Sequence, residues 1–366
     1  MMNSGKKTRF AVLYDYLQVA GGSERMALDL CRGLPGASLF VARAYAEAAA
    51  LTGSRPDEIK ALGSAITRPL GRILEAAYCF KYRTQFLSDA KNTYYLGNYA
   101  PLAASRQANG KKIYYCNTPP RFAYDWSAEY RSRQAPVLRG PFDHLTACYR
   151  SVYEQAVAQM DVVIANSENI RQRIKKYLNL DSQVIYPPVD VEKYRWLSQG
   201  DYFVSTARLM PYKRIRAIVE AFLKLPAQRL VILSGGPELA SLQQLAADAD
   251  NIHFTGWQSD AQLLDWIGNA RAAIYIPKAE DFGISPVEAM AAGKPVIGVA
   301  DGGLLETIVH EQTGLLLPPD PTTEELIAAI CRLNPATALA MRGACEARAR
   351  LFSRNIFLEK MLALAV

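Results

Sequence analysis

Two carboxylates, Glu280 and Glu288, bracket Asp281-Phe282-Gly283-Ile284-Ser285 where an apolar run, Ala272 to Ile276, passes through Pro277 into a short loop. Ser285, Pro286 and Glu288 spell Ser-x-x-Glu with proline at the first helical position, a helix N-terminus signature. First-turn N–H groups have no partner inside their own helix, and the helix dipole favours an anion, so a strand–loop–helix junction of this kind suits a phosphate. Carboxylates beside it suit hydroxyl groups, which donate to them. The stretch therefore points to a ligand carrying both, such as a nucleotide sugar. Each acid has a second reading: Glu288 as the partner of Ser285 in a capping box, and Glu280 as a solvated loop acid.

Breaking a sugar–diphosphate bond puts negative charge on the departing phosphate, so the chemistry needs a fixed cation. Arg208 and Lys213 follow the strand candidate Tyr202 to Thr206. Arg208 can fork two phosphate oxygens and Lys213 adds a compact charge, a pair able to replace a metal. Gly236, in the turn Ser234-Gly235-Gly236, is a weaker addition to the phosphate cradle. In the first half, Gly21-Gly22 stands between the first strand and a helix, where backbone can approach a ligand closely. Asn117-Thr118-Pro119-Pro120-Arg121 follows the strand candidate Lys112 to Cys116 as a proline-stiffened, ligand-facing loop. Phe122 to Pro141, with Tyr124, lacks clear periodicity and reads as a mobile acceptor loop.

These residues need a scaffold that brings strand ends and helix starts together. Strand candidates alternate with helical stretches in both halves, which implies a doubly wound parallel sheet in each, with ligands held in the cleft between the halves. Pro187-Pro188 marks the boundary. The expected domains are 1–188, 189–352, and a terminal helix, 353–366, packing back on the first domain. After the last strand, Gly314 to Leu317, three helices are expected.

At 366 residues and 50% hydrophobic, the chain is globular and long enough for two domains. It has no run of about 18 apolar residues and no apolar segment behind its basic start, so neither a membrane span nor a signal peptide is expected and the protein should stay in the cytoplasm. Six cysteines without a C-x-x-C pair suit reduced core thiols. The net charge of +7 is uneven: residues 1–183 carry 25 Lys+Arg against 15 Asp+Glu, and the remainder is acidic. A basic first half suits an anionic surface, a membrane leaflet or a phosphate-bearing acceptor; no recognition-module signature points to nucleic acid. The stretch from Arg68 to Phe86, with Arg72, Lys81 and Arg83 among Leu70, Ile73, Leu74, Tyr78 and Tyr82, has two readings: contact with a membrane or lipid-linked substrate, or a partly buried helix with a solvated basic face. The single Asp-x-Asp, Asp248-Ala249-Asp250, and three dispersed histidines give no metal-site pattern.

The order Arg208, Lys213, Glu280, Glu288, with Gly21-Gly22 and the Tyr115 to Arg121 segment, resembles glycosyltransferase family 4, the retaining transferases with the GT-B fold. The resemblance covers nearly the whole chain, and its N-terminal part is similar to mannosyl- and rhamnosyltransferases of bacterial surface polysaccharide synthesis. It implies catalytic roles for Arg208, Lys213 and Glu280, with Glu280 facing the donor sugar and Glu288 the ribose. It implies donor contacts from Asp281, Phe282, Gly283, Ile284, Ser285, Gly236 and Asn117, and acceptor or phosphate contacts from Gly21, Gly22, Arg121 and Tyr124. It further implies no metal or other cofactor, front-side attack with the leaving phosphate helping to deprotonate the acceptor, and GDP-mannose as donor to a lipid-linked glycan at the inner face of the cytoplasmic membrane. A UDP-sugar transferase of the same fold and a non-catalytic sugar-nucleotide-binding protein are the alternatives. Two departures stand out. Asn117 replaces a histidine frequent in relatives, which removes a titrating group, and Arg214 replaces a common glycine after the lysine.

Overall fold

The computed structural model describes residues 10–18, 21–45, 59–63 and 69–365, with 69–72 described by backbone alone. Of the residues invoked above, 1–9, Arg68 and the side chains of Leu70 and Arg72 lie outside this set. The chain divides into two compact units, Met1–Tyr186 with Phe357–Val366, and Pro187–Ile356.

The first unit is built on seven strands: β1 (Phe10–Leu17), β2 (Ser38–Ala44), β3 (Ile59–Ala61), β4 (Asn92–Leu96), β5 (Lys111–Cys116), β6 (Val162–Ala165) and β7 (Gln183–Val184). They pair in the order β3-β2-β1-β4-β5-β6-β7, every pair parallel. A parallel sheet needs cover on both faces, and β1 shows it. Ala11 and Leu13 enter one core, while Phe10, Val12 and Tyr14 enter the other, the period-two alternation of a strand. Helix α1 (Gly22–Gly33) covers the second core with Met26, Ala27, Leu30 and Cys31. Helix α2 (Pro69–Tyr82) puts Ala76, Cys79 and Phe80, spaced at one helical face, on the first. Helix α3 (Arg139–Val157) joins it through Tyr153, Ala156 and Val157. The terminal helix, Arg354–Ala363, inserts Phe357 and Met361 into the core shared with α1, and Tyr94 donates its hydroxyl to the Met361 carbonyl at 2.8 Å.

Residues 122–141, expected as a loop, contain regular structure. They hold a helix, Ser127–Ser132, and a 3-10 turn, Pro136–Leu138, and α3 begins within them at Arg139. Arg131 Nε forks both carboxylate oxygens of Asp143 at 3.0 and 2.9 Å, and Asp125 accepts from Arg121 at 3.3 Å and pairs with Arg173 at 3.0 Å. These ion pairs, with Phe122, Ala123 and Tyr124 packed on the core, hold the segment without a helical apolar period, which is why periodicity did not reveal it.

The second unit has six strands, β8 (Tyr202–Ser205), β9 (Arg229–Ile232), β10 (Ile252–Phe254), β11 (Ala272–Ile274), β12 (Val296–Val299) and β13 (Gly314–Leu317), in the all-parallel order β10-β9-β8-β11-β12-β13. Strand order reverses between β8 and β11, and the crevice beyond their C-terminal ends is where a doubly wound sheet binds ligands. Two helices start at that edge, α4 (Ile215–Leu223) and α5 (Ile284–Ala291). After β13 come four helices rather than three, because Asn334 caps a separate short helix, Pro335–Ala340, accepting from Thr337 N at 3.0 Å.

Candidate active site

From β8 the chain runs through Arg208 to a 3-10 turn, Pro211–Lys213, and from β11 it runs through Tyr275 to the loop carrying Glu280. The two loops meet. Lys213 Nζ lies 2.6 Å from Glu280 Oε2 and 2.7 Å from the Tyr275 hydroxyl, which lies 2.7 Å from the same carboxylate oxygen. The Lys213 and Glu280 side chains are 13% and 17% exposed and Tyr275 is buried. Burial, and then the neighbouring Glu280, raise the Tyr275 phenol well above its ordinary range, so it stays protonated and donates. Desolvating two charges offsets much of their attraction, so a buried ion pair is a poor device for stability alone and a good marker of a functional site.

The backbone beside each member of the pair is strained. Arg214, next to Lys213, has φ +55°, and Ala279, next to Glu280, has φ +53°, both left-handed. Such conformations cost side-chain-bearing residues about 1–2 kcal/mol and persist where surrounding structure overrides them. The reason glycine suits position 214 is thus visible, and so is what arginine does instead. Its guanidinium donates to the carbonyls of Ile276 (2.6 Å), Pro277 (2.9 Å) and Pro319 (2.8 Å) and to Asp320 (2.8 Å). Burial pulls its pKa down, and the Asp320 carboxylate is the largest opposing influence. Lys278 N donates to Tyr212 O at 2.8 Å, closing the two loops directly, and Ala279 N donates to Asp301 Oδ2 at 2.9 Å.

The turn Asp301-Gly302-Gly303 completes this clamp. Gly303 N donates to Glu280 O at 3.0 Å, and the glycines permit the approach: a Cβ on Gly302 would stand 2.2 Å from Glu280 O, and one on Gly303 2.3 Å from Phe282 Cα. The expected capping box is absent. Gly283, at φ +93°, is the N-cap of α5, so Ser285 lies inside the helix and no side chain caps it. Glu288 Oε1 instead accepts from the Tyr194 hydroxyl at 2.7 Å. Glycine's freedom at positive φ lets the helix begin two residues earlier than the serine signal indicates.

Arg208 is exposed in the loop after β8. The next residue, Leu209, donates to Gly235 O at 3.0 Å, and a Cβ on Gly236 would meet the Leu209 carbonyl at 2.5 Å. The Gly235-Gly236 turn thus supports the Arg208 loop from behind.

A family model described as glycosyl transferases group 1 matches residues 188–348, nearly all of the second unit. The human alpha-1,3/1,6-mannosyltransferase ALG2 is 25% identical over 393 aligned residues, spanning 93% of this chain and 92% of its own. The Rhizomucor pusillus ALG2 is 26% identical over 58% of this chain and 56% of its own length. A D-inositol 3-phosphate glycosyltransferase of Mycobacteroides abscessus is 29% identical over 52% and 46%. The chain thus spans about half the length of the last two. Among solved structures, Anabaena HepE in complex with UDP and glucose superimposes with a TM-score of 0.76 at 17% identity over 98% of this chain and 99% of its own. WaaG, a glycosyltransferase involved in lipopolysaccharide biosynthesis, gives 0.72 at 15% identity over 98% and 99%. The chain has the GT-B fold, and its second unit matches the glycosyl transferases group 1 model.

In the first unit, Gly21 is extended at φ −83°, a conformation open to any residue, and caps α1 with its carbonyl, which accepts from Arg25 N at 3.1 Å. Gly22 is the first residue of that helix. Asn117 follows β5, and its carbonyl accepts from Asn166 Nδ2 at 2.8 Å. Arg121 stacks over Trp126 at 4.4 Å. Tyr124 is buried, donates to Glu154 at 3.0 Å and stacks on Tyr177 at 5.0 Å.

The residues that sequence reasoning missed in the second unit are Tyr275, Tyr194, Asp301, Gly302 and Gly303. Glu280 and Glu288 each hold a tyrosine hydroxyl. A glycine pair in sequence suggests a turn, but a turn does not announce what packs against it. Tyr275 read as one more apolar strand residue, because its hydroxyl matters only once the Lys213 loop folds over it.

Proposed function

We propose that this protein is a retaining, metal-independent glycosyltransferase that moves a hexose, mannose favoured, from a GDP-sugar to a lipid-linked glycan acceptor in bacterial surface polysaccharide synthesis, at the inner face of the cytoplasmic membrane. The observation that carries the reading is the Lys213–Glu280 pair held over the strand-order reversal of the second unit. Mannose is favoured by the name of the ALG2 relatives, one aligned along nearly the full chain.

In this reading Lys213 has two N–H bonds committed, to Tyr275 and Glu280, and offers its third to an oxygen of the leaving diphosphate. Arg208 supplies a second cation, so developing charge meets groups already oriented and needs no metal. Glu280 holds sugar hydroxyls, Glu288 holds the ribose, and residues 281–285 place backbone N–H groups at the phosphates. Asn117 contacts the sugar, Gly236 adds to the phosphate cradle, and Gly21, Gly22, Arg121 and Tyr124 serve the acceptor or its phosphate. The departing phosphate takes the acceptor proton, so no protein nucleophile is required.

A UDP-sugar donor is the second reading, since HepE carries UDP in its solved complex. Melting curves with GDP, UDP, GDP-mannose and UDP-glucose separate the two, because only a ligand that binds the folded state raises the melting temperature. GDP and GDP-mannose are expected to stabilise most, and stabilisation by the uridine compounds alone would replace the donor assignment. Chelator is expected to leave transfer unchanged.

A further inference from the structure

We propose that Tyr275 is a positioning residue for transfer, its hydroxyl being the fixed point that places the Lys213–Glu280 pair relative to the sheet. The inference rests on the reading of that pair as the donor-handling groups and adds a residue which neither the family resemblance nor the sequence patterns single out.

Counting donors fixes the direction of the three contacts. An ammonium can only donate, so Lys213 gives one N–H to the Tyr275 oxygen at 2.7 Å and one to Glu280 Oε2 at 2.6 Å. The phenol has one proton, and the carboxylate oxygen 2.7 Å away takes it. Burial keeps that proton in place at neutral pH.

What distinguishes the three is where each is anchored. Lys213 and Glu280 come from loops, each beside a left-handed residue, Arg214 and Ala279. Tyr275 continues β11, with its N–H donating to Ile297 O at 2.8 Å, and its side chain is buried. Groups on regular elements are placed more accurately than groups on loops, and catalysis that depends on preorganised charge is sensitive to displacements of about 1 Å. Without the hydroxyl, Lys213 keeps Glu280 but loses its acceptor on the sheet, and Glu280 loses a donor from it. The pair can then swing as a unit.

Tyr202 supplies the comparison. It is a buried tyrosine of the same sheet whose hydroxyl donates only to the Trp266 carbonyl, at 2.7 Å. Tyr275→Phe and Tyr202→Phe each remove one buried phenolic hydrogen bond, and only the first touches the pair.

The test combines crystal structures of wild type and Tyr275→Phe with steady-state turnover of GDP-mannose by wild type and both variants. Expected in Tyr275→Phe are a displaced Lys213–Glu280 pair and a kcat lower by about 10–100-fold with the donor KM within about threefold. Tyr202→Phe should show a comparable fall in melting temperature with wild-type kcat. A Lys213–Glu280 pair unmoved in Tyr275→Phe, or equal kcat losses in the two variants, overturns the proposal. If wild type turns over no GDP-mannose, the donor assignment fails, and the structural comparison alone decides the role of Tyr275.

Discussion

Arg214 Nε donates to the carbonyl of Ile276 at 2.6 Å, tying the residue after Lys213 to the chain leaving β11. Arg214→Ala removes this and the other guanidinium contacts while keeping the unfavourable φ. It should lower unfolding free energy by about 2–4 kcal/mol, since hydrogen bonds to a charged donor are worth more than neutral ones. Arg214→Gly relieves the backbone and should be less destabilising by about 1 kcal/mol. Ala279→Gly, where no such side-chain contacts are at stake, should be neutral or stabilising by up to about 1 kcal/mol. Urea unfolding of the three variants checks the order.

Gly302 and Gly256 have similar positive φ, +57° and +70°, but only Gly302 is crowded. Gly256→Ala meets nothing within 4 Å and should cost only about 1 kcal/mol, with full activity. Gly302→Ala must push the Glu280 carbonyl away, so turnover should fall by about tenfold or more along with stability. Initial rates and melting temperatures measured side by side distinguish a displaced site from a weakened fold.

These contrasts show what one chain discloses of itself. The alternation of apolar strands with helix signals was enough for two parallel-sheet units, because each strand of a covered parallel sheet must be apolar on both faces, as β1 is. Arg208, Lys213, Glu280 and Glu288 stood out as candidates through their residue types, their order along the chain and the family resemblance. The capping of α5 was not legible, since Ser-x-x-Glu is a local pattern and Gly283 overrode it. Tyr275 and the Asp301 clamp were hidden for a different reason: their partners lie on loops from other strands, and such contacts leave no local signature.

Asp15 is a buried carboxylate in β1 that accepts from the backbone N–H groups of Asn98, Tyr99 and Ala100 at 2.6, 2.8 and 2.9 Å. Burial pushes it up to about 6 from 3.8, against the pull of those three donors. A carboxyl raised on folding binds its proton more tightly in the native state, so its contribution to stability is lost as pH rises from about 4 to about 6. The stability of wild type relative to Asp15→Asn should therefore be greater at pH 4 than at pH 7, by up to about 3 kcal/mol. Denaturant titrations of both proteins at the two pH values give the difference, and a constant gap would contradict the assignment.

Helix α2 leaves Ile73, Leu74, Tyr78 and Tyr82 exposed, with Lys81, Arg83 and Arg106 near the two tyrosine rings. Among the described residues no helix is long and apolar enough to cross a membrane. An apolar, aromatic face edged with cations suits the surface of an anionic leaflet, where each cation contributes about 1 kcal/mol. Neutralising Lys81, Arg83 and Arg106 together should weaken co-sedimentation with phosphatidylglycerol vesicles by about 100-fold. Binding to phosphatidylcholine vesicles should be weak and unaffected. Equal binding of wild type and triple variant to the anionic vesicles would remove α2 as the contact.

Transfer by the proposed route depends above all on Lys213 and Glu280. Its most direct test is the rate of GDP release from GDP-mannose by wild type, Lys213→Ala and Glu280→Gln, with circular dichroism confirming that each variant is folded. Wild type should release GDP, and each variant should be slower by about 100–1000-fold, the scale seen when a preorganised group at a transition state is removed. Wild-type release by either folded variant would contradict the account.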